Sequence, residues 1–320
     1  MRNFKEDDRN YVIKAMADRN IATNVHFTPL PMFTAYKNLG YSIGDYPNAY
    51  AQYANEITLP MYSTLSREDA EYVVENLIDV VEKLKIILKG GLYMKVKFYS
   101  PQREYHEKKE EFNSAISKVI ESGNFILGDE VSNLEESIKK YTGAKYAIGV
   151  ASGTDALVIA SDILGFKDGK EVITSPFTFL ASASCLSKHN AKPVFVDVDE
   201  ESFSLDANKI EEKITDKTVG ILPIHLFSQM CNMDKIMSIA KFHNLRVLED
   251  AAEAFGMRWK GTGSLYKHSG TVGDMGVFSF FPTKTLGAYG DAGMIVTNDD
   301  ELGKLAKMFR VHGASKKLSL

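Results

Sequence analysis

Cysteine occurs only twice in this chain, at Cys185 and Cys231, and tryptophan once. Two cysteines cannot build a disulfide framework, and without C-x-x-C or Cys/His ligand spacing they do not form a metal motif, so buried free thiols are expected. His106, His189, His225, His243, His268 and His312 share no ligand spacing either, and no metal site is expected. Long apolar runs are missing: none approaches the roughly 20 residues that a membrane-crossing helix needs. The opening residues, MRNFKEDDRN, hold no apolar core of a signal peptide. Charge of one sign is not concentrated. Lys+Arg number 38 against 42 Asp+Glu, for a net charge of −4, and no basic block is interleaved with aromatics. The electrostatic footprint of nucleic-acid binding is therefore lacking. No G-x-x-x-x-G-K-[ST] string and no G-x-G-x-x-G after a strand occurs, so nucleotide hydrolysis and dinucleotide redox chemistry lack their usual signals. These absences lead to the expectation of a soluble cytoplasmic protein that binds neither nucleic acid nor membrane.

What is present is enough apolar content, 44% of 320 residues, to bury a sizeable core in one large or two ordinary domains. From Lys145 onward, short apolar runs alternate with amphipathic stretches. Tyr146 to Val150, Val172 to Thr174, Pro193 to Val198, Val219 to Ile224 and Leu245 to Leu248 are predicted strands. Ala156 to Leu164, Ala181 to Lys188, Leu205 to Ile214 and Met233 to His243 are predicted helices between them. Such alternation implies βαβ units and an α/β fold with a parallel sheet covered on both faces. Ligands then sit beyond the carboxyl ends of the strands. The first ninety residues differ in kind. Ser66-Arg67-Glu68-Asp69 resembles a capping box, and Val73, Leu77, Val80, Leu84 and Ile87 follow at helical spacing, ending at Lys89-Gly90-Gly91.

One stretch carries more chemistry than any other. In VFSFFPTKTLGAYGDAG, residues 277 to 293, a lone Lys284 stands between a strand-like run and a glycine-rich turn. Asp250 ends a second apolar run, and Ser152-Gly153-Thr154 follows a third. An amine, a carboxylate and small polar donors are what pyridoxal phosphate requires: a partner for its aldehyde, a counter-charge for its ring nitrogen and a cradle for its phosphate. Each residue also has a plainer reading. Lys284 would be a surface lysine, Asp250 a helix cap, Gly153 and Thr154 an ordinary turn, and Phe179 a core aromatic.

These motifs resemble a known family. Lys284 with Ser279 five positions before it, VLEDAAEAFG at 247 to 256, ASGTDAL at 151 to 157 and SPFTFLAS at 175 to 182 look like the nucleotide-sugar aminotransferases of the DegT/DnrJ/EryC1/StrS family. The resemblance implies a type I aminotransferase fold: a large α/β domain with a mainly parallel sheet between helices, and a partial small α+β domain. It also implies an unusual order. Segments 22 to 41 and 56 to 81 resemble the C-terminal end of a family member, whereas MKVKFYSPQREY from Met94 resembles the beginning of one. The expected organisation is a small-domain portion over 1 to 88, a junction over 89 to 93, and a pyridoxal-phosphate-binding large domain over 94 to 320. That large domain is expected to stop short of the family's GYNSRLD-like loop.

By the same resemblance, Lys284 would hold the cofactor and move a proton, and Asp250 would pair with the ring nitrogen. Phe179 would stack on the ring, while Gly153, Thr154 and Ser279 would hold the phosphate. Glu253 stands where many members place Gln or His near the cofactor's phenolic oxygen, and His26 matches a position that approaches the sugar. A lysine at 284 argues for transamination over the family's dehydratase role, and the turn LGAYGDAG resembles members that aminate C3. The implied reaction is transamination of a nucleotide-linked keto-deoxysugar with glutamate as donor, in a homodimer, for amino sugars of O-antigen or polysaccharide. The alternative is a chimeric or truncated chain that binds pyridoxal phosphate without turnover.

Overall fold

The computed structural model describes residues 6–62, 64–83, 98–261 and 265–314. Leu84, Ile87, the Lys89-Gly90-Gly91 stop and the 89–93 junction lie outside them, as does the chain after Ala314. Packing divides the chain into two compact units, one formed by Met1–Pro29 and Tyr50–Phe125, the other by Leu30–Ala49 and Ile126–Leu320.

In the first unit, helix Glu6–Ala17 packs on helix Arg67–Lys83. Val12, Met16 and Ile21 meet Val73 and Val80 there, so the apolar spacing of the sequence is the buried stripe of a helix pair. Ser66 Oγ accepts the Asp69 N–H at 3.0 Å, which is the cap expected from the sequence. Arg9, only 2% exposed, is reconciled with burial by donating to the Tyr53 carbonyl at 2.9 Å and lying 4.6 Å over the Tyr53 ring. Helices Pro101–Glu107 and Lys109–Ser122 complete this unit, with Arg103 joined to Asp69 at 2.8 Å.

The second unit is built on a seven-stranded sheet. Its strands are β1 (Tyr146–Val150), β2 (Glu171–Thr174), β3 (Lys192–Phe195), β4 (Thr218–Leu222) and β5 (Arg246–Asp250), then β8 (Met275–Ser279) and β9 (Gly293–Thr297). A separate two-stranded pair, β6 (Arg258–Trp259) with β7 (Lys267–His268), lies between them in sequence. The order is β1-β9-β8-β5-β4-β2-β3, in which β9 runs antiparallel to both neighbours and every other pairing is parallel. The mainly parallel α/β sheet expected from the alternating pattern is thus present. Strands β2 and β9 are buried at every position, as a sheet covered on both faces requires.

Leu205 to Ile214 is not the helix that its apolar spacing predicts. Leu205 forms an isolated bridge with Val198, and only Glu211–Lys213 makes a short 3-10 turn. Asp206 Oδ1 accepts the Asn208 N–H at 3.0 Å, so the side chain offers the backbone a turn in place of a helical bond. Ile210 is fully buried by that turn, which explains the misleading periodicity.

The outer strand β3 carries Pro193, which lacks the N–H a central strand needs and suits an edge. Residues 30–49 cover that edge. Tyr41 donates its hydroxyl to the Pro193 carbonyl at 2.5 Å, and Leu30 N–H bonds the Pro176 carbonyl at 2.9 Å. Leu30 and Tyr36 are buried with Ala183 and Phe195. Asp197 is the fastener: Oδ2 accepts the Asn48 N–H at 3.0 Å, and Oδ1 accepts those of Ala49 at 3.0 Å and Val198 at 2.9 Å. Asp197→Ala leaves these donors without an acceptor, at about 1–3 kcal/mol for each one that stays dry. The expected loss is about 3 kcal/mol, read as a lower denaturation midpoint. Asp199→Ala, which removes a half-buried local turn that water can partly reach, is expected to cost less, about 1 kcal/mol.

Candidate active site

The strands deliver their chemistry to one end of the sheet. Residues following the carboxyl ends of β1, β2, β4, β5 and β8 are Gly153, Phe179, His225, Asp250 and Lys284 with Ser279, the placement that parallel α/β sheets give to ligand sites. Helix Gly153–Ile163 starts directly after β1. Ser152 caps it, accepting the Asp155 N–H at 3.0 Å, which leaves the first-turn N–H groups of Gly153 and Thr154 directed past the helix end. A Cβ on Gly153 would lie 2.6 Å from Ser279 Cβ, so glycine is what allows this helix end and the end of β8 to touch. Gly153, Thr154 and Ser279 are thereby brought together.

Asp250 closes β5 and is 4% exposed. Its Oδ2 accepts the Ser182 hydroxyl at 2.7 Å and its Oδ1 the Ala252 N–H at 3.1 Å. Ser182 in turn shares a hydrogen bond with Thr178 at 2.9 Å. Burial pushes the Asp250 carboxyl above the ordinary carboxylate range. The Ser182 and Ala252 hydrogen bonds and the Lys284 charge oppose that rise, and the Glu253 charge adds to it.

Lys284 lies in the loop that joins β8 to β9. The loop is tight: Lys284 N–H bonds the Phe281 carbonyl at 2.8 Å, and Ala288 N–H bonds the Phe280 carbonyl at 2.7 Å. Lys284 Nζ meets Glu253 Oε1 at 2.9 Å, with both side chains about one-fifth exposed. Glu253 is itself held, because Oε2 accepts the Phe227 N–H at 3.2 Å and its carbonyl accepts the Ser228 hydroxyl at 2.9 Å. The carboxylate that the sequence placed beside a phenolic oxygen is thus the ion-pair partner of the lysine.

Phe179 is 56% exposed, on the segment between β2 and helix Ala181–Lys188. His26 belongs to the other compact unit, where Nδ1 lies 2.8 Å from Thr58 Oγ1 and its N–H bonds Glu56 Oε2 at 2.7 Å.

The chain matches the sequence profile of the DegT/DnrJ/EryC1/StrS aminotransferase family over residues 1–78 and 106–319. The chain belongs to that family. The pleiotropic regulatory protein of Geobacillus stearothermophilus is 45% identical over 224 residues, covering 70% of this chain and 59% of the relative. The UDP-2-acetamido-2-deoxy-3-oxo-D-glucuronate aminotransferase of Pseudomonas aeruginosa is 39% identical, covering 69% and 60%. The crystal structure of Streptomyces venezuelae DesV in complex with a ketimine intermediate superposes with a TM-score of 0.66 at 37% identity, over 70% of this chain and 59% of that one. The chain therefore spans about 60% of the length of these relatives. The family resemblance carried by the four motifs and the fold it implied are both borne out.

Sequence reasoning did not single out Ser182, although it lies within the SPFTFLAS string, because nothing local shows that its hydroxyl turns toward Asp250, 68 residues away. His225 and the Phe227–Ser228 pair were passed over for the same reason. Their partners, Glu249 and Glu253, lie 24 to 26 residues further along the chain.

Proposed function

We propose that this chain is a pyridoxal-phosphate-dependent aminotransferase acting on a nucleotide-linked 3-keto-deoxysugar, with glutamate as amino donor. The observation that carries the reading is the gathering of Lys284, buried Asp250 and the Gly153–Ser279 contact at one end of the sheet, in a chain of an aminotransferase family. The donor set fits the cofactor. Asp250 is a buried carboxylate whose charge is disfavoured by burial, so a protonated ring nitrogen compensates it. Gly153 and Thr154 present first-turn N–H groups of an 11-residue helix, with the Ser279 hydroxyl beside them, as a phosphate dianion requires.

Bound there, pyridoxal phosphate supplies an electron-withdrawing ring that absorbs the charge left when a C–H bond next to nitrogen breaks. The chain's residues do the rest. Asp250, oriented by Ser182 and Ala252, keeps the ring nitrogen protonated. Lys284 would hold the cofactor through its amine and would be the group that moves a proton. Glu253 would keep Lys284 Nζ aimed, and the exposed Phe179 would cover the ring.

The 3-keto assignment is supported by the LGAYGDAG turn and by the 3-oxo sugar in the name of the Pseudomonas relative. The product is an amino sugar for O-antigen or other polysaccharide. With it go a homodimeric, cytoplasmic enzyme and a chain order in which a small-domain portion, 1 to 88, precedes the large domain of 94 to 320. Among the described residues no helix is long and apolar enough to cross a membrane. His26 is the proposed sugar contact from the small-domain portion.

Purified protein incubated with pyridoxal phosphate is expected to gain an absorbance band near the visible edge that glutamate bleaches and a 3-keto nucleotide sugar restores. No band, or a band that glutamate leaves unchanged, would sink the transaminase and leave a family member without turnover.

A further inference from the structure

Beneath the site lies a second carboxylate that the proposed chemistry does not use. Glu249 is fully buried, next to Asp250 in β5, and alternation along a strand sends its side chain to the opposite face of the sheet. Its oxygens accept hydrogen bonds from four donors. Oε1 takes the N–H groups of Val272 and Gly273, each at 2.7 Å. Oε2 takes the Gly270 N–H at 3.0 Å and His225 Nε2–H at 2.9 Å. A carboxylate with four such donors meets the requirement for burying a charge without a cation.

The ring of His225 fixes which proton is where. Burial works against a charged imidazole, while the hydrogen bonds and charges of Cys231 and Glu249 work for it and push the ring up to about 10. The backbone geometry opposes that rise: the Cys231 N–H points at Nδ1 from 3.2 Å, which a protonated Nδ1 could not accept, and this contact rather than the electrostatic balance places the ring proton on Nε2, donated to Glu249. His225 therefore links the carboxylate to segment 225–231. Within that segment Phe227 and Ser228 have φ of 54° and 59°, the left-handed region that non-glycine residues avoid. Such a conformation persists only where the surroundings dictate it. Here the surroundings are His225 at one end and Glu253, bound by both strained residues, at the other.

The contacts close into a ring. From Glu249 one arm runs through His225 and Phe227 to Glu253 and Lys284 Nζ. The other runs through Val272 and Gly273 into β8, and on to the loop that carries Lys284. The second arm is pressed tightly on its neighbours, since a Cβ on Gly276 would lie 2.2 Å from the Gly270 carbonyl oxygen.

We infer that Glu249, acting through His225, is a positioning residue that fixes the spacing of Asp250, Glu253 and Lys284 by tying β5 to segment 225–231, which holds Glu253, and to segment 270–273, which leads into β8 and the Lys284 loop. The inference rests on the reading of Asp250 and Lys284 as the cofactor's partners.

The test uses Glu249→Gln, which exchanges one acceptor oxygen for an NH2 group facing N–H donors, and the milder His225→Gln, which leaves the backbone contacts of Glu249 in place. Each is compared with a variant in a separate hydrophobic cluster, Val12→Ala or Val73→Ala, chosen for an equal loss in melting temperature. Dissociation constants for pyridoxal phosphate and the pH titration of its absorbance band are measured on all of them. The expected result is a dissociation constant raised at least tenfold over the stability-matched core variant in both site variants, with a displaced band titration. Equal affinity and an unchanged titration in the site and core variants would overturn the positioning role and leave Glu249 a stabilising residue only. Failure of the wild-type chain to bind pyridoxal phosphate would instead overturn the underlying reading, so the two failures are distinguishable.

Discussion

Lys284→Ala is expected to lower transamination by about four orders of magnitude, the upper range for removal of a positioned acid–base group, while the protein still folds. The two halves of that expectation have separate grounds. Lys284 Nζ is the amine that the site brings within 2.9 Å of a carboxylate, and no other residue of the site presents one. Structurally, little depends on it. Lys284 and Glu253 are both partly exposed, so water can replace the lysine, and the cost is about 1 kcal/mol or less. Glu253 also keeps the Phe227 N–H. Turnover with glutamate and a 3-keto nucleotide sugar reads the first half, and a melting curve reads the second. A small primary amine in solution should restore part of the lost rate, because what is missing is a proton-carrying amine and not a shape. A variant that retains more than about a hundredth of the wild-type rate would remove Lys284 from the chemistry.

Asp250→Asn is expected to move activity and stability in opposite directions. Activity should fall about 10² to 10³-fold, the effect of deleting one preorganised electrostatic partner. The hydrogen bonds survive: Oδ1 of asparagine accepts the Ala252 N–H, and its NH2 group donates to Ser182, whose hydroxyl can turn toward Thr178. Stability of the chain without cofactor should rise. Burial raises the folded-state carboxyl above its unfolded value, so ionisation in the fold is a cost. That cost is absent below the unfolded carboxyl's pKa of about 3.9, and it grows as pH rises from there through the raised folded value. The melting temperature of Asp250→Asn relative to the parent should therefore climb with pH over that window and then level off. A variant that is less stable at neutral pH would mean that Asp250 is satisfied without a cationic partner.

Much of this was legible in the sequence because it is local. The runs at Tyr146 to Val150 and Ala181 to Lys188 have the period and length of their elements, and each coincides with a strand or helix of the structure. The capping serine at 66 needs only the residue three positions on. Lys284, Asp250, Gly153 and Thr154 stood out because turn residues after apolar runs mark strand ends, and in a parallel sheet those ends converge; Ser279 stood out only through the family motif. Leu205 to Ile214 was misread since apolar spacing does not register that Asp206 captures its own backbone.

The sequence by itself determined the α/β class and the family, and it named the residues proposed to hold pyridoxal phosphate. Tertiary structure decided their electrostatics. Glu253 is a lysine partner, Ser182 an aspartate partner, and Glu249 a buried hub because chain segments 24 to 68 residues apart were folded to within 3 Å. It also decided that residues 30–49 seal the edge strand through Asp197, about 150 residues away. Hydrogen bonds and ion pairs depend on distances of a few ångströms, and a linear pattern carries the identity of the groups without those distances.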